Sequence, residues 1–389
     1  MRIVIVGGGV IGLLTAVRCV SAGHEVVLVD QADIPFSGAA SFDRHRALLA
    51  LNLDDPAVTA AAVHAHHRWI GLQHLLSARF YEQVGALSVL PSEHLSVAQT
   101  MLTDAGSWAR VLNPDELASS YPQIRFPAGA SAVFESRAGV LLADRVLAAC
   151  ADWLRWRSRA ELRPHTRAVS IDSGSAAVRL AGGEVVRADA LLLAIGPWSR
   201  ALLAPELAGE LVLYRQSMIY CQVPPSDAAA WSATPPIRSL GTDGGVWLVP
   251  PVAGTPLKLS AASACRAVVE IDGNTTPPYW RDHLIDAVSA TIPGFGADWL
   301  IGARDCYYLA RTSARGLMLA VLADRVVSYA ACGGLSFKFA PLIAQSLAER
   351  LIGAVPAPTG LQPIDGGIVR PSSGTAGSHR QTRPVMRGV

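Results

Sequence analysis

The chain opens on four consecutive apolar, β-branched positions, Ile3-Val4-Ile5-Val6. No polar residue alternates with them, so the run predicts a strand buried on both faces of a parallel sheet. A glycine-rich turn follows, and residues 13–21 carry the period of a helix closed by Ala22-Gly23. Residues 25–29 form a second apolar strand ending on Asp30. Farther on, residues 55–77, 140–157, 279–291 and 339–352 have helical spacing. Residues 81–134 carry Pro91, Pro114, Pro122 and Pro127 and predict short strands and turns. Residues 162–187 read as strand, hairpin and strand, turning at Ser173-Gly174 and Gly182-Gly183. Residues 188–195 predict a buried strand, and 211–223, 245–259, 304–309 and 325–331 predict others.

The first turn is Gly7-x-Gly9-x-x-Gly12, set between strand and helix. Gly7 permits the tight turn, Gly9 lets the backbone approach a pyrophosphate, and Gly12 lets helix and strand pack closely. The helix start, with Val10 and Ile11, offers N–H groups and a positive dipole end to phosphates. Asp30 lies eighteen residues past Gly12, where an acid accepts hydrogen bonds from ribose hydroxyls. The set predicts a dinucleotide-binding βαβ unit and does not choose between NAD and FAD.

At 389 residues the chain is long enough for two domains. A net charge of +2 gives no excess to attract nucleic acid or an anionic membrane. With 51% hydrophobic and 16% charged residues the chain as a whole is not intrinsically disordered. A mean hydropathy of +0.31 raises the question of a membrane. No run reaches the roughly 18 uninterrupted apolar residues of a spanning helix. The six cysteines contain no CxxC pair, so neither a disulfide scaffold nor a cysteine zinc site is indicated. Five are expected to be small buried apolar residues, with Cys306 set apart below. His64, His66, His67 and His74 share one helix, but no carboxylate joins them at ligand spacing, so a solvated face is expected and no metal. The N-terminal run is broken by glycine before any cleavage site, which predicts no signal peptide and a cytoplasmic protein.

The predicted fold class is α/β, a discontinuous Rossmann-type FAD-binding domain plus a substrate domain with an antiparallel-rich sheet. The expected parts are 1–80 with 140–210 and 302–365 for the first, and 81–139 with 211–301 for the second. Residues 370–389 predict a disordered tail. A ligand then lies at the seam of two domains, where pockets prefer to form.

Several segments in order resemble the D-amino-acid-oxidase-like FAD superfamily, and within it the monomeric sarcosine oxidase and N-methyltryptophan oxidase branch. They are the opening turn with Asp30, Asp33-x-Pro35 followed by Arg46, Gly139-Val140-Leu141, and LLLAIGPW at 191–198. Tyr214-Arg215-Gln216, Leu257-Lys258-Leu259, Asp305-Cys306-Tyr307-Tyr308 and GGLSFKF at 333–339 complete the set. The resemblance spans about residues 1–355. It implies FAD, a hydride taken from a carbon beside an amine, an imine that hydrolyses, and O₂ reduced to H₂O₂. Partners are then a small-molecule amine and O₂, with the chain a monomer or homodimer.

The resemblance also assigns roles. Lys258 is the cation that stabilises developing superoxide. Cys306 is the thiol for a thioether to the flavin. Lys338 binds a substrate carboxylate, Tyr308 lines the pocket and Arg46 sits near the flavin. Cofactor contacts fall at Gly7, Gly9, Val10, Ile11, Gly12, Asp30, Gln31, Arg46, Ala168, Gly196, Trp198, Cys306, Gly333, Gly334, Leu335, Phe337 and Lys338. The sequence departs from the family pattern at Leu49, where a second arginine is usual, and at Ala262, Leu335 and Ser336. These exchanges imply a more apolar pocket and a substrate bulkier or less acidic than sarcosine. Three rival readings stay open: an FAD dehydrogenase passing electrons to a carrier, a nicotinamide dehydrogenase, and a flavin-binding protein without redox turnover.

Overall fold

Alternation along the first strands builds the nucleotide-binding part. In β1 (Arg2–Val6) Ile3 and Ile5 join one core and Val4 and Val6 another. In β2 (Glu25–Val29) Val26 and Leu28 join the first core and Val27 and Val29 the second. Successive side chains of a strand leave opposite faces, so a strand apolar throughout needs cover on both. One cover is helical: α1 (Val10–Ser21) with Pro56–Leu76, Ala143–Arg155 and Ser336–Leu351. The other is an antiparallel sheet of Ala168–Asp172, Ala177–Leu180 and Val185–Arg187, whose Val178, Leu180 and Val186 close the second core. This computed structural model describes residues 1–312, 316–366 and 369–370; residues 371–389 of the expected tail lie outside them.

The central sheet has six strands in the order Leu317–Ala323, Val326–Cys332, Ala190–Leu193, β1, β2, Ala160–Arg163. All are parallel except the Leu317–Ala323 edge. A second, nine-stranded sheet is mainly antiparallel and centres on Leu211–Cys221, which pairs with Leu300–Arg311 along its length. The expected boundary at residue 302 therefore cuts this strand, whose hydrogen bonds belong to the second sheet. A small sheet of Arg46–Leu48, Gly139–Leu141 and Tyr81–Glu82 completes the described strands.

Three local expectations need correction. Ser92–Asp104 is a helix where short strands were expected. It buries only Ala98 and Leu102, too few to set a period, and Pro91 sits at its start, where proline costs no hydrogen bond. The span 140–157 divides into Gly139–Leu141, paired with Arg46–Leu48, and the helix from Ala143. His66 is buried, not solvated, and neither ring nitrogen has a partner among the described residues.

Alternation in the two longest strands decides what faces what. Tyr214 opposes Tyr308 and Gln216 opposes Cys306, while Arg215 opposes Tyr307 and Ser217 opposes Asp305. The first set lies on one face and the second set on the other. On the second face the Arg215 guanidinium bonds Asp305, and Arg215 also reaches Asp272 at 2.7 Å. Thr276 donates to the same Asp305 carboxylate at 2.7 Å, and Arg266 lies 3.5 Å from it. Asp305 is wholly buried, so removing its charge leaves Arg266 without a carboxylate partner among the described residues and Arg215 with Asp272 alone. Asp305→Ala is expected to cost about 3 kcal/mol. A lower urea midpoint at unchanged slope checks this, and an unmoved midpoint contradicts it.

Candidate active site

A cavity of about 570 Å³ runs from the first glycine turn to the second sheet. At its nucleotide end lie Gly7, Gly9, Val10, Ile11, Asp30 and Gln31, at the carboxyl ends of β1 and β2. Gly7 has φ +110°, and a Cβ there would meet the Ala194 carbonyl oxygen at 2.3 Å. Gly12 does not line the cavity; a Cβ on it would lie 1.9 Å from the Gly7 carbonyl oxygen, so it lets helix and strand touch. The N-cap residue Gly9 has no side chain to cap α1; Ser41 Oγ accepts the Val10 N–H at 3.2 Å, and the following first-turn N–H groups are left for an anion. Asp30 accepts from the Gly8 N–H at 2.7 Å and the Ala32 N–H at 2.9 Å. Burial raises its pKa, and these donors oppose the rise. Ala168, Gly196 and Trp198 line the same stretch. A glycine cradle, a free helix start and an acid in one channel fit a dinucleotide.

At the other end the structure brings Arg46, Lys258, Cys306, Tyr308 and Lys338 together, with Gly333, Gly334, Leu335 and Phe337 beside them. Lys258 is not a lone cation. Its ammonium donates to the Asp43 carboxylate, with both groups almost fully buried. Tyr220 stands directly across the antiparallel pair from Lys258 and donates to the other Asp43 oxygen at 2.7 Å. Arg46 lies 4.0 Å from Asp43. Burial pushes the Asp43 carboxyl up, but the Lys258 and Arg46 charges and two hydrogen bonds outweigh it and hold it well below the usual range. Burial also lowers Lys258, and Asp43 opposes that. His45, enclosed beside them, is pushed down to about 4 by burial and the Lys258 charge.

Cys306 Sγ lies 3.4 Å from the Ala40 carbonyl oxygen. Tyr308 stacks on Tyr214 at 5.5 Å and touches Cys265 Sγ at 3.2 Å through its hydroxyl. Cys265 and Cys332 are therefore half-buried residues near or on the cavity rather than core thiols; Cys19, Cys150 and Cys221 are buried as expected. Phe337 stacks on Trp69 and carries the Arg46 guanidinium 5.1 Å above its ring.

The structure also corrects the picture of an apolar pocket. Leu49 does line the cavity, but so does Arg238, from the strand Ile237–Leu240. Glu135 is buried nearby and accepts from the Ala50 and Leu51 N–H groups at 2.8 and 3.1 Å. Lys338 is pushed down to about 8 by burial and the Arg238 charge, with Glu135 opposing. Asp43, Tyr220, Glu135 and Arg238 were missed in sequence. A charged residue inside an apolar strand, as at Arg238 in IRSL, was the available signal for one of them.

A βαβ nucleotide cradle joined through one cavity to a cationic chamber defines a dinucleotide-dependent oxidoreductase. The chain belongs to the FAD dependent oxidoreductase (DAO) family, which matches residues 2–350. It is an FAD-dependent oxidoreductase, and the nicotinamide reading falls. It is 24% identical over 151 residues to human peroxisomal sarcosine oxidase, a match covering 38% of each chain. The mouse peroxisomal sarcosine oxidase is 25% identical over 148 residues, again 38% of each. Both matches span well under half the length of these relatives. Among solved structures, a modified fructosyl peptide oxidase from Aspergillus nidulans superposes with TM-score 0.77 at 22% identity, covering 98% of this chain and 96% of that one. NikD, an amino acid oxidase of nikkomycin biosynthesis, superposes with TM-score 0.75 at 17% identity, covering 97% and 99%. At these identities the likeness is one of fold. Among the described residues no helix is long and apolar enough to cross a membrane.

The Asp43 pair carries a pH signature. Its carboxyl titrates below the ordinary 3.8, so it favours the folded chain above that pH, and this contribution drains away as pH falls below about 4. Asp43→Asn is expected to lose about 3 kcal/mol at pH 7, and the gap from the parent should narrow by about 1 kcal/mol as pH drops to 3. Unfolding by urea at both pH values checks this; a gap independent of pH would falsify it.

Proposed function

We propose that the protein is an oxidase of a C–N bond, acting on a secondary or amino-acid-derived amine bulkier than sarcosine, with O₂ as acceptor and H₂O₂ as product. The observation that carries this reading is the Lys258 ammonium, buried yet lining the cavity. Bound FAD supplies the redox chemistry, taking a hydride from the carbon beside the amine and yielding its electrons to O₂, while the imine hydrolyses in water. The chain supplies position and charge. The nucleotide is held by the Gly7–Gly9 turn, the α1 start and Asp30. Lys258 places a positive charge where negative charge develops on oxygen, in a pocket with little water to screen it. Asp43 opposes the lowering of that lysine's pKa by burial. Leu49, Met218, Trp247 and the half-exposed Leu335 give apolar walls suited to a bulky substrate. The role proposed for Cys306, which lines the cavity, is covalent attachment of the flavin. The names of the relatives, sarcosine oxidase, fructosyl peptide oxidase and amino acid oxidase, point to the same substrate class.

One observation favours the dehydrogenase reading instead. Asp43 offsets part of the Lys258 charge that O₂ would feel. The yield of H₂O₂ per amine oxidised separates the two: near one for an oxidase, near zero for a carrier-linked enzyme. Lys258→Met is expected to slow flavin reoxidation by about 2 to 4 kcal/mol of barrier, with flavin reduction by substrate much less affected. Stopped-flow measurement of both half-reactions decides, and equal losses sink the assignment. Acid precipitation tests Cys306: yellow colour in the pellet, lost in Cys306→Ala, marks covalent attachment, and colour in the supernatant rejects it.

A further inference from the structure

A second groove, of about 590 Å³, lies where α1 meets the helix Pro56–Leu76. It shares no lining residue with the active-site cavity. His64, His67, Arg68, Gly71 and Leu75 are spaced three or four apart and so form one stripe of the second helix. Arg18, in the last turn of α1, joins them in the lining. The cations here are held but not neutralised. Arg68 Nε donates to His64 Nε2 at 3.2 Å, which spends one edge of the guanidinium and fixes its plane. Arg18 has no hydrogen-bond partner among the described residues; burial and the Arg68 charge push its pKa down, with Glu349 opposing. Glu349 is engaged elsewhere, accepting from Gln345 Nε2 at 2.9 Å and from the Ala357 N–H at 2.8 Å. Among the described residues no carboxylate comes within 4.0 Å of Arg18 or Arg68. The other wall is apolar: Leu72 is buried and Leu75 is 39% exposed. A Cβ on Gly71 would meet no atom within 4 Å, so the stripe is open between Arg68 and Leu75.

We infer that this groove binds a small phosphate monoester, its phosphate held by Arg18 and Arg68 and its apolar part laid against Leu72 and Leu75. Two half-buried guanidinium groups without a carboxylate repel each other, and an anion placed between them turns that cost into attraction. Each fork matches phosphate geometry. Arg18 and the outer edge of Arg68 together offer more N–H groups than the two oxygens of a carboxylate can use. A phosphate monoester brings three terminal oxygens and about two negative charges. His64, as the acceptor for Arg68 Nε, acts through that arginine and is a positioning residue. The ligand is not the cofactor's own phosphate, since Arg18 lies about 12 Å along α1 from the Val10 end that faces the active-site cavity. The inference therefore stands independently of the oxidase reading.

The test uses the FAD-loaded protein in phosphate-free buffer, with phenyl phosphate as the probe and calorimetry as the readout. Phenyl phosphate is expected to bind at least about threefold tighter than inorganic phosphate, which lacks the apolar part. It is expected to bind at least about tenfold tighter than benzoate, which lacks the third oxygen and the second charge. Arg18→Gln is expected to weaken phenyl phosphate at least about tenfold, with flavin content and spectrum unchanged. Gly71→Phe keeps every charge and fills the stripe, and it should weaken the probe as much; a diffuse positive surface would be indifferent to it. Arg125→Gln, at an exposed arginine outside the groove, removes the same net charge and should bind as the parent does. No binding of phenyl phosphate at millimolar concentration, benzoate bound as tightly, parental affinity in Arg18→Gln or Gly71→Phe, or an equal loss in Arg125→Gln overturns the proposal. A flavin spectral shift that saturates with the same affinity places the probe in the active-site cavity and overturns it as well. Should Arg18→Gln fail to fold, Arg68→Gln removes the other charge of the pair; a loss of about tenfold supports the site and an unchanged affinity rejects it.

Discussion

Asp43 sits on the loop that leads from the nucleotide-binding sheet to Arg46, and its carboxylate is shared by Lys258 and Tyr220 of the other sheet. The Lys258 pair spans 215 residues of sequence and closes one side of the cavity. Its geometry depends on the register that sets Tyr220 opposite Lys258, because only then do both side chains leave the same face and meet one carboxylate. In turn it decides that the lysine can remain charged where water cannot solvate it. Without the carboxylate, burial would drive the ammonium toward its neutral form.

The same economy recurs at two other places. Glu135 serves Lys338 and Arg238, and Asp305 serves Arg215 and Arg266. Each buried carboxylate is set among two cations. At Asp305 the surplus is met by Asp272, since that cluster lies on the face turned away from the cavity and has structure to hold. At Asp43 and Glu135 the described residues supply no second carboxylate in contact, and both clusters border the cavity. The chamber is thus positive at two separate points.

This arrangement relies on a rigid partition of the two long strands. Cys306 and Tyr308 face the cavity because Asp305 and Tyr307 face away, anchored by Arg215 and Asp272. The tetrapeptide Asp-Cys-Tyr-Tyr therefore reads as two interleaved pairs, one facing the cavity and one facing away. Asp305 holds the buried arginines on the face turned away from the cavity.

Much of the nucleotide end was legible in the chain itself. The β-branched run, the glycine spacing, the helix and Asp30 are near neighbours in sequence, and their geometry follows from local sterics and a period of two or 3.6 residues. The α/β class and the inserted sheet followed from the same patterns, as did the lysines and Cys306 through resemblance. What the sequence by itself could not determine were the partners of those residues. The helix at Ser92–Asp104 buries only two side chains and so leaves no period to read, and the burial of His66 is set by what packs against its helix, which no local pattern records. Asp43, Tyr220, Glu135 and Arg238 look in sequence like any loop or strand residues. Tertiary structure alone made them a site, because a charge acquires its meaning from neighbours and dielectric, and those are brought in by chain segments a hundred or more residues away.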